Sequence, residues 1–152
     1  MINANAVIKT TLQSIAASWK TDAAVDRTDP GAALLQVSLL HAKYLHLMVT
    51  AKEMARSESI KYFRMKRVKW EYYTGKLDQA TLTKYGWEPF LYVLKSDTSI
   101  YMDSDVDLLK QKDLVAAAED STDLCEKILK ELNNRTWQLR SFIDYEKFLQ
   151  GN

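Results

Sequence analysis

The chain has 152 residues, of which 47% are hydrophobic, 27% charged and 11% aromatic, which bounds it to one ordinary-sized domain and excludes a disordered tail or a two-domain enzyme. Four Gly and two Pro are too few for the turns a sheet protein consumes, so the composition favours long helices. A net charge of +1 and a single cysteine, Cys125, exclude a uniformly basic DNA-coating protein and an internal disulfide; the thiol reads as buried and structural.

In chain order, Leu12, Ile15 and Trp19 recur at helical spacing and predict a short helix around Thr11 to Lys20. Asp26-Arg27-Thr28-Asp29-Pro30 breaks it. Asp29 before Pro30 is an N-cap followed by proline at the first helical position, and no Gly or Pro recurs between Ala32 and Gly75, so one long helix is expected there, ended by Gly75. Within it Val37, Leu40, Tyr44, Leu47, Ala51, Met54, Met65, Val68 and Tyr72 fit a heptad seam interrupted at Glu58 and Lys61. Asp78 and Gly86 bracket two further helical turns, and Trp87-Glu88-Pro89-Phe90 is expected to be a turn or a short extended passage. Helix resumes from Ser96, and Ser104 with Asp107 forms a capping-box pattern that opens a second long helix running to Gly151. Leu108, Val115, Ala118, Cys125, Leu129, Leu132, Leu139 and Ile143 keep one register along it, with polar Gln111, Thr122, Thr136 and Glu146 in the remaining slots.

Each long helix would hold about 45 residues and reach ~68 Å, against a radius of gyration of ~15 Å for a compact globule of this size. The expected fold is therefore all-α, an elongated protomer whose overhanging apolar stripes are covered by other copies of the chain, with Leu108, Val115, Cys125, Leu129, Leu132, Leu139 and Ile143 as the oligomerisation face. A break near Glu58 or Asp120 would instead give a monomeric bundle. Asn133-Asn134-Arg135-Thr136 is either a register-fixing polar layer or a solvent-facing patch.

The near-neutral total hides a division of charge: residues 61–76 carry +5, and residues 97–123 carry −6. In the basic segment, Tyr62, Lys66, Lys69 and Tyr73 fall within about 60° of one another on a helix, and Phe63, Arg67, Trp70 and Thr74 form the neighbouring stripe. Cations that neutralise phosphates, interleaved with rings on which bases stack, suit single-stranded nucleic acid. Duplex readout would want base-edge donors such as Asn or Gln, which the segment lacks. A solvated basic face with aromatics packed against a neighbour is the bland alternative.

Asp103-Ser104-Asp105-Val106-Asp107 has the start of a calcium-loop spacing, but Leu108 and Leu114 stand where the glycine and the terminal glutamate belong, so no metal is expected. His41 and His46 are five apart, without a ligand-spaced partner. No nucleophile elbow, phosphate loop or glycine-rich loop is present. Neither catalysis nor a cofactor is expected. No apolar run approaches the ~18 residues of a membrane span, no signal-peptide pattern opens the chain, and the expected compartment is the cytoplasm.

Several blocks together carry a resemblance: His41-Ala-Lys-Tyr44, Lys69-Trp-Glu-Tyr-Tyr-Thr-Gly-Lys-Leu77, Gly86-Trp-Glu-Pro-Phe90, Ser96-Asp97 leading to Tyr101-Met-Asp-Ser-Asp-Val-Asp-Leu108, Asn133-Asn-Arg-Thr-Trp-Gln138 and Phe148-Leu-Gln-Gly151. In this order the chain resembles the UvsY family of phage recombination mediators from about residue 11 to the end. The resemblance implies a non-enzymatic protein, in the cytoplasm of an infected host cell, that helps a RecA-like recombinase displace single-strand-binding protein from DNA. It implies single-stranded DNA contacts at Arg67 and Lys69, supported by Arg64 and Lys66, just before the Tyr-Tyr-Thr-Gly element, and a ring of six or seven chains assembled through C-terminal helices. Joined to the residue-level reading, the expected DNA-binding set is Lys61, Tyr62, Arg64, Lys66, Arg67, Lys69 and Tyr73. The expected division is a DNA-binding region at 1–95 and an oligomerisation region at 96–152. The competing classes are a coiled-coil structural adaptor whose basic strip meets an acidic protein, and a metal-dependent nuclease using the 103–107 aspartates.

Overall fold

The computed structural model describes residues 4–89 and 93–151, with side chains from Thr11 onward. The chain forms five helices, α1 (Ala4–Asp22), α2 (Pro30–Tyr73), α3 (Gln79–Tyr85), α4 (Thr98–Asp103) and α5 (Val106–Leu149), with no strand among the described residues. Both long helices run unbroken through Glu58 and Asp120. The caps act where local chemistry puts them. Asp29 Oδ1 accepts the Ala32 N–H at 2.9 Å as α2 begins, and Gly75, at φ 68°, lets the chain turn out of it. Asp78 accepts the Thr81 N–H at 2.9 Å ahead of α3, which Gly86 ends at φ 66°. The opening of α5 differs from the capping-box expectation: Asp105, not Ser104, is the cap. Its Oδ1 accepts the N–H groups of Asp107 and Leu108, both at 3.0 Å, while the Ser104 hydroxyl donates back to the Ile100 carbonyl at the end of α4. Phe90 lies outside the described residues.

Two compact units make up the chain, one from Met1–Met54 with Ala117–Asn152 and one from Ala55–Ala116. Each therefore takes a piece of α2 and a piece of α5. In the first unit, Ile15, Val37, Leu40, Tyr44, Cys125, Ile128, Leu132 and Leu139 form one buried cluster. Trp19 meets Tyr44 edge-on at 5.6 Å, and the Tyr44 hydroxyl donates to Asp22 Oδ2 at 2.8 Å. Arg135, from the polar Asn133–Thr136 stretch, is buried; it donates to the carbonyls of Asp22 and Ala23 at 3.1 Å each and so ties α5 to the end of α1.

In the second unit α2 and α5 lie antiparallel, Glu58 opposite Gln111 and Lys69 opposite Asp105 and Asp107. The two heptad interruptions answer each other. Gln111 Nε2 donates to the Glu58 carboxylate at 2.7 Å and to its carbonyl at 3.0 Å, and Lys61 donates to the other carboxylate oxygen at 2.6 Å. Burial raises the Glu58 pKa, but the hydrogen bonds from Lys61 and Gln111 outweigh it and hold it below the ordinary value.

The heptad seams thus meet within the chain. Leu108, Cys125, Leu132 and Leu139, expected on an oligomerisation face, are buried in the protomer's own packing, and Val115, Leu129 and Ile143 are half-buried. What lies outside includes a second apolar face on α2, where Leu35 is 78% and Leu39 73% exposed, followed by Leu45 and Val49, and on the last turns of α5 the exposed Trp137, Tyr145, Phe148 and Leu149. This second face also makes α2, contrary to the expectation from apolar runs, long and apolar enough to cross a membrane by length and composition, with a window of mean hydropathy 1.3. Two apolar faces on one helix raise its mean hydropathy without any uninterrupted apolar run.

Gln111→Leu removes the buried donor from Glu58 and is expected to cost about 1–3 kcal/mol, measured as a lower urea midpoint with an unchanged slope.

Candidate nucleic-acid interface

Residues 61–73 form the last three turns of α2, with no proline or glycine to interrupt them. One edge of this stretch is fixed to the start of α5. Lys69 is buried, its ammonium 2.9 Å from Asp105 Oδ2 and donating to Asp107 Oδ2 at 2.8 Å. The Tyr73 hydroxyl donates to the same Asp105 Oδ2 at 2.8 Å. Asp105 thereby caps α5 with one oxygen and binds α2 with the other. Burial pushes the Asp105 carboxyl up, but the Leu108 N–H and the hydrogen bonds from Lys69 and Tyr73 outweigh it, and its pKa is lowered. For Lys69, burial acts downward, and the hydrogen bonds and charges of Asp107 and Asp105 leave the pKa raised. Both groups are charged at neutral pH, and the buried cation is compensated by two carboxylates. Burial and the Asp105 hydrogen bond raise the Tyr73 pKa, so this hydroxyl stays protonated.

Lys69 and Tyr73, expected among DNA contacts, therefore have their polar ends directed into the protein. The other expected residues lie outside. Arg67 is 80% exposed and bonded to Glu71 at 3.0 Å, an exposed pair of small energetic value. Lys66 lies 5.9 Å from the Tyr62 ring; Tyr62 is half-buried and meets the exposed Phe63 ring at 5.6 Å. Arg64 is exposed, and no carboxylate among the described residues pairs with it. Lys61 is half exposed beside Glu58. Further along, Lys76 lies 4.4 Å above the exposed Trp70 ring.

The structure adds two rings outside the expected set, Tyr85 at the end of the short helix and Trp87 in the turn after it. The left-handed Gly86 lets the Trp87 N–H donate back to the Leu82 carbonyl at 3.0 Å, which folds residue 87 against residue 85. Trp87 stacks on Tyr85 at 4.7 Å and 20°, leans on Tyr72 at 5.0 Å and has the Lys69 ammonium 4.1 Å from its ring. The Tyr72 hydroxyl donates to the Glu88 carbonyl at 3.0 Å, which holds this turn to α2. The local signal was the glycine after Lys84-Tyr85, which marks a helix end that reverses sharply enough to stack its flanking rings. No group of three or more His, Cys, Asp or Glu arranged for a metal ion occurs among the described residues.

Asp105→Asn is expected to lower stability at pH 7 by about 1.5–3 kcal/mol, the worth of a charged hydrogen bond. Because the folded-state pKa of Asp105 lies below its ordinary 3.8, the carboxylate's contribution is full above that value and fades as pH falls through the folded one. The gap between the two proteins, read from urea midpoints, should therefore close in acid; a gap that stays constant there would show that the charge on Asp105 contributes nothing.

Comparison with known proteins places this geometry in context. The profile described as "Recombination, repair and ssDNA binding protein UvsY" matches residues 18–152. The fold is similar to the crystal structure of the bacteriophage T4 recombination mediator protein UvsY, with a TM-score of 0.79 at 17% identity over 91% of this chain and 96% of that one. No curated protein sequence matches the chain. The structural likeness carries the fold, and the profile match over most of the length carries the kinship: the chain belongs to the UvsY family of recombination, repair and single-stranded-DNA-binding proteins.

Proposed function

We propose that this protein is a recombination mediator. It holds single-stranded DNA along the outer edge of residues 61–76 and helps a RecA-like recombinase replace single-strand-binding protein. The observation that carries the reading is the run of exposed cations Arg64, Lys66 and Arg67, set among rings on an α2 segment anchored by the Lys69–Asp105–Asp107 cluster. Lys61 and Tyr62 belong to the same strip. Lys69 and Tyr73 serve by holding that strip in place. Such a strip meets phosphates without reading sequence, as a filament loader working on any strand requires.

A few cations per chain grip DNA weakly, so the reading includes a homo-oligomer, a ring of about six or seven chains, in which several strips share one strand. The assembly face we assign is the outer stripe of α2 with Leu35, Leu39, Leu45 and Val49, which no part of its own unit covers to the extent that Leu108, Cys125, Leu132 and Leu139 are covered. An extended strand on such a ring suits a recombinase filament better than single-strand-binding protein.

Arg64→Gln with Arg67→Gln is expected to weaken binding of labelled oligo-dT and to reduce the slope of log K against log salt by ~0.7 per lost phosphate contact, measured by fluorescence anisotropy at several salt concentrations. An unchanged slope would remove these residues from the interface. Leu35→Asp with Leu39→Asp should lower the particle mass in light scattering while the helical circular dichroism persists; a full-sized particle would move the assembly face elsewhere.

A further inference from the structure

A groove of about 410 Å³ runs beside the cationic strip, between the α2 residues Lys61, Arg64, Met65 and Val68 and the rings of Tyr85 and Trp87. Its volume lies in the range of small-molecule sites, and its lining is specific: apolar Met65 and Val68, the stacked rings of Tyr85 and Trp87, and the cations Lys61, Arg64 and Lys69, of which Lys61 and Lys69 are already paired with carboxylates. Tyr85 is 48% exposed, whereas Trp87 is clasped by Tyr72, Tyr85 and Lys69. The pair is therefore built as a platform in which Trp87 is the backing and Tyr85 the working surface. The one carboxylate on the groove, Asp107, shares the Lys69 ammonium with Asp105, so that cluster keeps one net negative charge, and Arg64 is the groove cation with no carboxylate partner among the described residues.

We propose that this groove is a nucleobase-stacking subsite: one unstacked base of the bound strand lies against Tyr85, while Arg64 takes an adjacent phosphate. The inference rests on the single-stranded DNA reading above and extends it off α2 to the 85–87 turn. A nucleotide is the ligand whose chemistry matches both halves of the groove, since its flat apolar face suits the rings and its phosphate suits the arginine. An acidic peptide would use the cations and leave the stacked rings unused. The turn is fit for the task because its position is fixed three times over, by the Gly86 reversal, by the Tyr72 hydroxyl on the Glu88 carbonyl and by the ring stack, so that binding does not have to order it.

The test compares Tyr85→Leu, Tyr85→Phe and the unchanged protein on oligo-dT and on a strand of the same length made of abasic sugar-phosphate units. Loss of one stacked base is worth about 1–3 kcal/mol, or about 5- to 150-fold in affinity. Tyr85→Leu should weaken oligo-dT binding by at least that lower factor, keep the salt slope, and bind the abasic strand as the unchanged protein does; Tyr85→Phe, which keeps the ring, should bind both normally. Oligo-dT binding by Tyr85→Leu equal to that of the unchanged protein would overturn the subsite and leave the cationic strip standing. Equal weakening on both strands would assign Tyr85 a structural role and likewise overturn it. If the unchanged protein ignored both strands, the DNA reading would fall and the subsite with it.

Discussion

The candidate interface depends on a single buried carboxylate. Asp105 begins α5 by capping it through one oxygen and secures the end of α2 through the other, on the Lys69 ammonium and the Tyr73 hydroxyl. Each half of this arrangement needs the other. A cap alone would leave the buried Lys69 to Asp107 and the Tyr73 hydroxyl without this acceptor, and a salt bridge alone would leave the first N–H groups of α5 without an acceptor. Lys69 also carries the ring of Trp87 above its ammonium, so the same cluster fixes the turn that closes α3. The segment that carries the cations is thereby rigidly held, with Arg64 and Arg67 about 60° apart around α2 and Lys66 on a different side of the helix.

The two charge blocks of the sequence gain a physical meaning from this cluster. The +5 of residues 61–76 and the −6 of residues 97–123 meet where the antiparallel helices of the second unit bring Lys69 against Asp105 and Asp107. A basic segment read on its own looks like a ligand site throughout. Here part of it is an internal ion pair, and only the part turned away from α5 is available to a strand. Helical periodicity grouped Tyr62, Lys66, Lys69 and Tyr73 correctly as neighbours; which side of α2 faced the rest of the chain was a tertiary matter.

The same limit explains what else was legible. Asp29-Pro30, Gly75, Asp78 and Gly86 could be read because capping obeys local stereochemistry. The start of α5 could not, because Ser104 and Asp105 both offer a side-chain oxygen, and what selects Asp105 is Tyr73, 32 residues earlier, together with Lys69. The heptads named apolar residues of which Leu108, Cys125, Leu132 and Leu139 are buried in the chain's own packing. A seam of Leu108, Cys125, Leu132 and Leu139 has the same spacing whether it closes on another copy or on the chain's own second helix. The polar interruptions held the missing information: Glu58 on one helix and Gln111 on the other are complementary only if the two seams pair with each other. The Tyr85–Trp87 platform was the least legible part, since it arises from a left-handed glycine between two rings and has no periodicity at all.

The charge that remains on the basic segment bears on the proposed assembly. Of the cations in 61–76, Lys69 is balanced by two carboxylates, Lys61 stands against the buried Glu58, and Arg67 shares Glu71. Arg64, Lys66 and Lys76 have no carboxylate partner among the described residues. Three or four phosphate contacts give a salt slope of only about 2–3 for a single strand, the signature of weak, quickly reversed binding. A mediator benefits from this, because a strand must be held long enough to be handed on and must then be released. In the proposed assembly, linking several such strips would multiply residence time without strengthening any one contact. Under the proposed mediator role, each strip would then yield its nucleotides to an incoming recombinase in turn, while its neighbours kept the strand from escaping.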